Sequence, residues 1–444
     1  MARPTPLLLG IDVGTSRTKA LLVDPGGQEV AAAVVTTPFT RHGDHIEMGV
    51  NHLRSALTRV LDQLGEERGR VVAAGLTGMA ESGAPLAADA RPLAPVIAWH
   101  DPRGAEAVQT LEERFGDELA RAIGQPIRTV SSVAKLGWLV GQGVVPAHWL
   151  GVPELGLHLL TGARATDYSL AARTGAYDVD RRQWIDDVPA ALGFPVEVFA
   201  PVRAAGTVMG RVHPPGATWS GLPVGIPVTL AGHDHLGALA GSGARPDDLA
   251  NSVGTAESVV ARSGQLPDRQ RALGLRVAIT LTPDGDGWAV MAGAARAGTA
   301  LLAAARALGL SPTELDRRAA GSESPARPGL LAAVLGGDIT GLATGDPGDH
   351  WRSLLGALSE RTWEAVGRAR ELLESRPPRL VVFGGGAASA PWLAIKAAAG
   401  DVPLWRATTR EAAARGAALT AGVAAGWWPS TGKAPAAPLE PVTT

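Results

Sequence analysis

Apolar runs at Leu7 to Ile11 and at Ala20 to Val23 flank a turn of glycine and hydroxyl residues, a pattern that predicts a β-hairpin. After Gly26-Gly27 a further strand is expected over 29–37, and the polar stretch Thr40 to Glu47 reads as a loop. Val50, Leu53, Leu57, Val60, Leu61 and Leu64 fall at helical spacing and predict an amphipathic helix over 50–67. Val71 to Leu76 is continuously apolar, as in a strand of a parallel sheet covered on both faces. Strands are also expected over 95–99 and 224–231, with Pro227 marking the latter as an edge or a bulge. A surface helix is expected over 104–122, and helices over 299–307 and 311–320, the second opening on Ser311-Pro312. Asp349 reads as the cap of a long helix whose stripe runs through Trp351, Leu354, Leu355, Leu358, Ala365, Val366, Ala369, Leu372 and Leu373. Leu380 to Phe383 then forms a buried strand that enters the triplet Gly384-Gly385-Gly386 and a helix. From 429 onward proline, alanine and threonine dominate, and a disordered tail over 429–444 is expected.

Length changes this picture little: 444 residues accommodate two domains of roughly 200 residues each. A chain 45% apolar and 19% charged is of ordinary globular composition. Its formal charge of −2 gives no reason to expect nucleic acid or an anionic membrane as partner. The absence of cysteine excludes disulfides, thiolate zinc sites and thiol catalysis. Only three leucines precede Gly10, too few for a signal peptide, and no run approaches the ~18 apolar residues of a membrane helix. A cytoplasmic location is the expectation.

Chemistry concentrates in the turns. Asp12 ends the first strand, where a carboxylate can hold a hydrated Mg²⁺. Gly14 lets backbone N–H groups approach an anion, Thr15, Ser16 and Thr18 add hydroxyls, and Lys19 adds a cation. Taken alone, the stretch reads equally well as an ordinary hairpin with a polar turn. Two further stretches change that balance: Leu249 to Ala261 repeats the pattern around Gly254-Thr255, and the glycine triplet supplies a third such turn. Three turns of this kind are what a nucleotide clamp between two similar domains requires. In the polar stretch, His42, Asp44, His45 and Glu47 suggest a metal site less than a solvated loop.

These motifs, with Trp99-His-Asp-Pro-Arg103, Lys135-Leu-Gly-Trp138-Leu, Thr166-Asp-Tyr-Ser-Leu-Ala-Ala-Arg173-Thr, Gly232-His-Asp234-His-Leu-Gly and Arg410-Glu-Ala-Ala-Ala-Arg-Gly-Ala-Ala, resemble the FGGY family of carbohydrate kinases, over about residues 5–428. The resemblance implies an α/β chain of two actin-like ATPase (ribonuclease H-like) domains, 1–241 and 242–428, with a nucleotide and sugar cleft between them. It implies ATP and Mg²⁺ as cofactors and a small sugar, ketose or polyol as substrate; dimers are common among similar kinases. Gly14, Thr15, Ser16, Lys19, Gly254, Thr255, Gly385, Gly386 and Ser389 are then expected to bind ATP, and Asp12 to hold Mg²⁺ through water. Asp234 is expected to be the catalytic base, since phosphoryl transfer to an alcohol needs a carboxylate that orients the hydroxyl and accepts its proton; otherwise it merely caps the following helix. His233 and His235 are expected to shape the pocket. Glu81, aligned with a histidine of the family, Trp99, whose face suits a sugar's carbon-bound hydrogens, Arg103 and Asp234 itself are expected to contact the sugar. A carboxylate at Glu81 would disfavour a nearby anionic sugar group. Leu330 to Gly348 is shorter than the family's segment, which bears on either a lid or oligomer contacts. Two other classes remain open: an actin-like ATPase whose nucleotide drives partner binding, and a catalytically silent sugar-binding protein of kinase ancestry.

Overall fold

The computed structural model describes residues 4–322 and 327–443. Five strands make most of a first sheet: β1 (Leu7–Val13), β2 (Arg17–Val23), β3 (Glu29–Thr36), β4 (Val71–Gly78) and β5 (Pro227–His233), in the order β5-β4-β1-β2-β3. β1 to β3 form an antiparallel meander, whereas β4 and β5 run parallel to β1. Every residue of β1 is buried, because both faces of the sheet are covered. Leu7, Leu9 and Ile11 pack with Leu53, Leu57 and Val60 of the helix Val50–Asp62, while Leu8 packs with Ala414 and Ala418.

A helix, α1 (Asp234–Gly241), follows β5 directly. The second sheet repeats the first: β6 (Leu249–Val253), β7 (Glu257–Ser263) and β8 (Trp288–Ala295) form a meander, and β9 (Leu380–Phe383) and β10 (Leu404–Ala407) extend it in parallel with β6. Its helices include α2 (Ala297–Leu308), α3 (Pro347–Leu373), α4 (Ala390–Ala398) and α5 (Ala412–Ala424).

α1 and α5 lie between the two sheets. Leu236, Leu239 and Ala412 pack with Ala250, Val260, Val381 and Phe383 of the second sheet, and Ala414, Ala418 and Ala421 pack with Leu8, Leu21 and Val23 of the first. Backbones meet here: a Cβ on Gly416 would stand 1.9 Å from the carbonyl oxygen of Gly237, and one on Gly10 1.8 Å from that of Ala414. α5 belongs by chain position to the 242–428 half, but in space it is joined to the first sheet.

Several local expectations are corrected. Residues 40–48 are an ordered hairpin, Thr40–His42 against His45–Met48, secured by the Ile46 N–H donating to Asp101 Oδ2 at 2.7 Å. The helix expected to reach 67 ends at Asp62, and Gly65, at φ +61°, starts a separate 3-10 turn. The strand expected over 95–99 shrinks to Val96–Ile97. Pro227 occupies the first position of β5, an inner strand, where a missing N–H is tolerated. Asp346, not Asp349, caps α3, accepting from the N–H of Gly348 at 2.7 Å. The tail expected to be disordered is built into the second sheet through residue 443: β11 (Leu439–Pro441) pairs antiparallel with β10, and Arg415 donates to the Pro435 carbonyl at 2.8 Å. Backbone pairing holds this segment, and composition does not report it. The shortened 330–348 segment forms the helix Leu330–Leu335 and a 3-10 turn, Thr340–Leu342.

Candidate active site

Asp12, Thr77 and His233 stand at the carboxyl ends of three neighbouring strands, β1, β4 and β5. Adjacent strands lie about 4.8 Å apart, which sets Asp12 and the Asp234 turn about 10 Å from one another on one edge of the sheet. Ligands of open α/β sheets gather at such an edge.

The turn after β1 is held by its own hydrogen bonds. The Gly14 N–H donates to the Arg17 carbonyl at 3.0 Å, and Thr37 Oγ1 donates to the Gly14 carbonyl at 2.8 Å, which fixes the loop. Thr18 is fully buried against Thr37 and serves this scaffold, whereas Thr15 and Ser16 face the cleft. Asp12 is 5% exposed, and its Oδ1 has no hydrogen-bond partner. Burial pushes its carboxyl up to about 7; Lys19 opposes this, while Asp234 and Glu411 add to it. A buried, under-partnered carboxyl facing two other carboxylates is a suitable seat for a hydrated divalent cation. Lys19 differs from expectation in one respect. Its ammonium stands 2.6 Å from Glu411 and 3.9 Å from Asp12, so it already neutralises two carboxylates before any phosphate arrives.

Across the cleft, the turn after β6 carries Gly254 and Thr255, both exposed. Thr255 Oγ1 lies 3.5 Å from Ser16 Oγ, so the two turns that the sequence singled out face one another directly. The glycine triplet follows β9, the parallel neighbour of β6. Gly384, at φ +95°, leaves a Cβ-sized space only 2.6 Å from the Val253 carbonyl oxygen, and Gly386 packs against Val253 and Trp392. Gly385 alone of the three faces open space. Ser389 caps α4, accepting from the Trp392 N–H at 3.3 Å.

Asp234 opens α1, partly exposed. His233 Nε2 approaches its Oδ1 at 3.0 Å, and the His235 N–H donates to the same oxygen at 2.8 Å. Burial alone would raise its pKa, but the two histidines and these hydrogen bonds hold it well below the usual carboxylate range. Burial also lowers the His235 imidazole to about 4, so this ring stays neutral near pH 7. The three side chains bring ligand atoms within 4.8 Å of one another, a spacing that the imidazole–carboxylate contact explains without a metal ion.

The turn before Asp234 is braced by residues for which the sequence suggested no role. Gly232 is at φ +86°, and its carbonyl accepts from Thr77 Oγ1 at 2.6 Å. The His233 N–H donates to Ser169 Oγ at 3.1 Å, and Ser169 donates in turn to Asp167 at 2.7 Å.

The expected sugar residues divide. Glu81 sits at the end of β4 in the left-handed region, φ +62°, where a non-glycine residue carries strain. Arg173 Nε donates to its carboxylate at 2.7 Å, and Gln125 holds the other side of that guanidinium at 2.6 Å. Glu81 is therefore no free anion, which removes the expected bias against anionic sugars. Behind it, Glu154 and Thr166 line a cavity of about 20 Å³, room for one water. Trp99 donates its indole N–H to Thr15 at 2.9 Å, tying the 99–103 loop to the turn after β1, and Lys135 supports that loop through the Trp99 carbonyl at 3.2 Å. Arg103 is buried and held by Asp101 and Glu47 with the Trp138 ring 4.6 Å away, so it organises the loop from behind. Arg173 is the arginine the sequence missed; its motif was visible, but its partner lies 92 positions away.

Among the described residues, no helix is long and apolar enough to cross a membrane. Comparison with known proteins bears on the same features. The model of the FGGY family of carbohydrate kinases, N-terminal domain, matches residues 7–241, and that of the C-terminal domain matches 324–425. L-fuculokinase of Escherichia coli K12 is 29% identical over 272 residues, covering 59% of this chain and 57% of its own length. The chain thus spans little more than half of that relative. L-fuculokinase of Salmonella typhi is 27% identical over 432 residues, covering 93% of this chain and 91% of that protein. The crystal structure of xylulose kinase from Rhodospirillum rubrum superposes with a TM-score of 0.79 at 25% identity, covering 98% of this chain and 94% of that one. The fold is the two-domain actin-like ATPase fold of these kinases.

Proposed function

Because the chain belongs to the FGGY family of carbohydrate kinases, we propose that it transfers the γ-phosphate of ATP to a hydroxyl of a small sugar, ketose or polyol, with Asp234 as base. The observation that carries this reading is the shared edge: Asp12 and Asp234 close enough to interact electrostatically, with the Ser16 and Thr255 turns opposed above them. In the reaction the sugar hydroxyl oxygen bonds to the γ-phosphorus, the bond from that phosphorus to the bridging oxygen breaks, ADP leaves, and the hydroxyl proton passes to the Asp234 carboxylate. His233 and the His235 N–H hold that carboxylate ionised and aimed. Thr15, Ser16, Gly254 and Thr255 grip the phosphates, and Gly385 leaves room for the adenosine. Asp12 would hold Mg²⁺ through water, and the ion when bound offsets phosphate charge. Glu81, oriented by Arg173, and Trp99 contact the sugar. Residues 1–241 thus supply base, metal seat and sugar loop, and 242–428 the opposing phosphate turn. L-Fuculose-like ketoses lead the substrate panel, since the curated relatives include L-fuculokinases.

The test is a panel of ketoses, polyols and sugar acids with ATP and Mg²⁺, monitored by ADP release. ADP release that depends on one added sugar supports the kinase; sugar-independent release favours an actin-like ATPase. Asp234→Asn should lower kcat on an accepted sugar by at least about a thousandfold while an ATP analogue still binds. Retained turnover would show another group to be the base.

A further inference from the structure

Four cations near the cleft have partners within the protein. Lys19 pairs with Asp12 and Glu411, Arg103 with Asp101 and Glu47, Arg173 with Glu81, and Lys135 is capped by three carbonyls. A triphosphate entering beside Asp12 and Asp234 therefore needs positive charge from elsewhere. Arg296 stands between β8 and α2, exposed, and no described side chain pairs with it.

Its backbone position is closely set. The preceding residue, Ala295, pairs with Glu257, two positions past Thr255. Two residues after Arg296, the Gly298 N–H donates to the Gly254 carbonyl at 3.2 Å, and the Thr299 N–H lies 3.4 Å from the Thr255 carbonyl oxygen. A Cβ on Gly298 would come within 2.5 Å of the Gly254 carbonyl oxygen, so the segment cannot drift from the phosphate turn. That turn opposes Ser16 at 3.5 Å. On the far wall, His100 adjoins Trp99, and its Nδ1 is buried without a partner. Its imidazole is held below the ordinary value first by burial, then by the charges of Arg41, Arg296 and Lys135.

We propose that Arg296 binds the γ-phosphate of ATP from the second-domain side and remains on it as it moves to the sugar. This inference rests on the kinase reading. Charge in phosphoryl transfer spreads over the equatorial oxygens, and a planar guanidinium offers two parallel donors to them. Arg17 and Arg41 are also exposed, but no backbone hydrogen bond ties either segment to the Gly254-Thr255 turn.

The experiment compares wild type with Arg296→Ala, Arg296→Lys and Arg306→Ala. Arg306→Ala removes an exposed charge from the far end of α2, roughly 15 Å away at 1.5 Å per residue. Calorimetry with ADP and with a non-hydrolysable ATP analogue, both with Mg²⁺, should show Arg296→Ala weakening the analogue roughly tenfold to a hundredfold and ADP less than about twofold. Arg296→Lys should recover part of the loss, and Arg306→Ala should bind both as wild type does. On an accepted sugar, Arg296→Ala should lower kcat by about a hundredfold or more, with the KM for sugar within about twofold. Equal losses for ADP and analogue, or no loss for either, would overturn the assignment. A wild type that phosphorylates no sugar would defeat the kinase reading, while the ADP-versus-analogue comparison would still decide the role of Arg296.

Discussion

Single residues carry the opposed charges of this protein. Asp12 stood out in the sequence because it ends an apolar run at a glycine-bearing turn, a local signal, whereas Asp234 was expected only through the family resemblance of Gly232-His-Asp234-His-Leu-Gly. Arg173, Ser169 and Asp167 were quoted within a motif, yet their work depends on Glu81 and His233, brought to them only by the fold. Glu154 shows what such burial does. It is 7% exposed, its Oε2 has no partner, and burial pushes it up to about 7, although Thr166 donates to Oε1. In the unfolded chain a glutamate ionises near 4.3. Between these values the folded state holds the extra proton, so stability falls as pH rises from about 4 to about 7 and then levels off. Glu154→Gln removes that slope. Its stability relative to wild type should improve from pH 5 to pH 8, by on the order of 3 kcal/mol at the upper end. Thermal denaturation at the two pH values measures this, and parallel curves would contradict it.

At the scale of elements, long periodic segments read correctly and short paired ones did not. The strand β4 and the helix α3 were evident because eight and 27 residues display their pattern fully. The hairpin at 40–48 has strands of three and four residues, too short for an alternation to show, and β11 is recognisable only beside β10. Glycines within helices divide in a way that can be tested. Gly356 and Gly367 in α3 have nothing within 4 Å of a would-be Cβ, so alanine at either should stabilise by about 0.5–1 kcal/mol. Gly416 in α5 meets the Gly237 carbonyl, and Gly416→Ala should cost about 3 kcal/mol or more, because backbone rather than a flexible side chain must yield. Chemical denaturation of the three variants checks the contrast; similar effects for all three would refute it.

For the molecule as a whole, duplication was visible as a repeated glycine–hydroxyl turn, and two sheets of matching strand order bear it out. The place of α5 was not visible, since chain order assigns it to the second half while its alanines and glycines fit the first sheet. The Ser16 and Thr255 hydroxyls stand 3.5 Å apart, so on the proposed reading, with phosphates between these turns, nucleotide must part them. A chain without cysteine allows a direct check. A Ser16→Cys, Thr255→Cys double variant should cross-link on oxidation, at a separation compatible with a disulfide. An ATP analogue should block the cross-link, and ADP should slow it less. Cross-linking unaffected by nucleotide would show that the turns do not bracket the phosphates.

The glycine-lined meeting of α1 and α5 has one more consequence. Because α1 lies between the sheets and begins with Asp234, the packing between the two halves and the proposed proton acceptor share one eight-residue rod. On the proposed reading, any rotation of one half over the other would turn that carboxylate too, so its aim at the alcohol would depend on how far the cleft is closed.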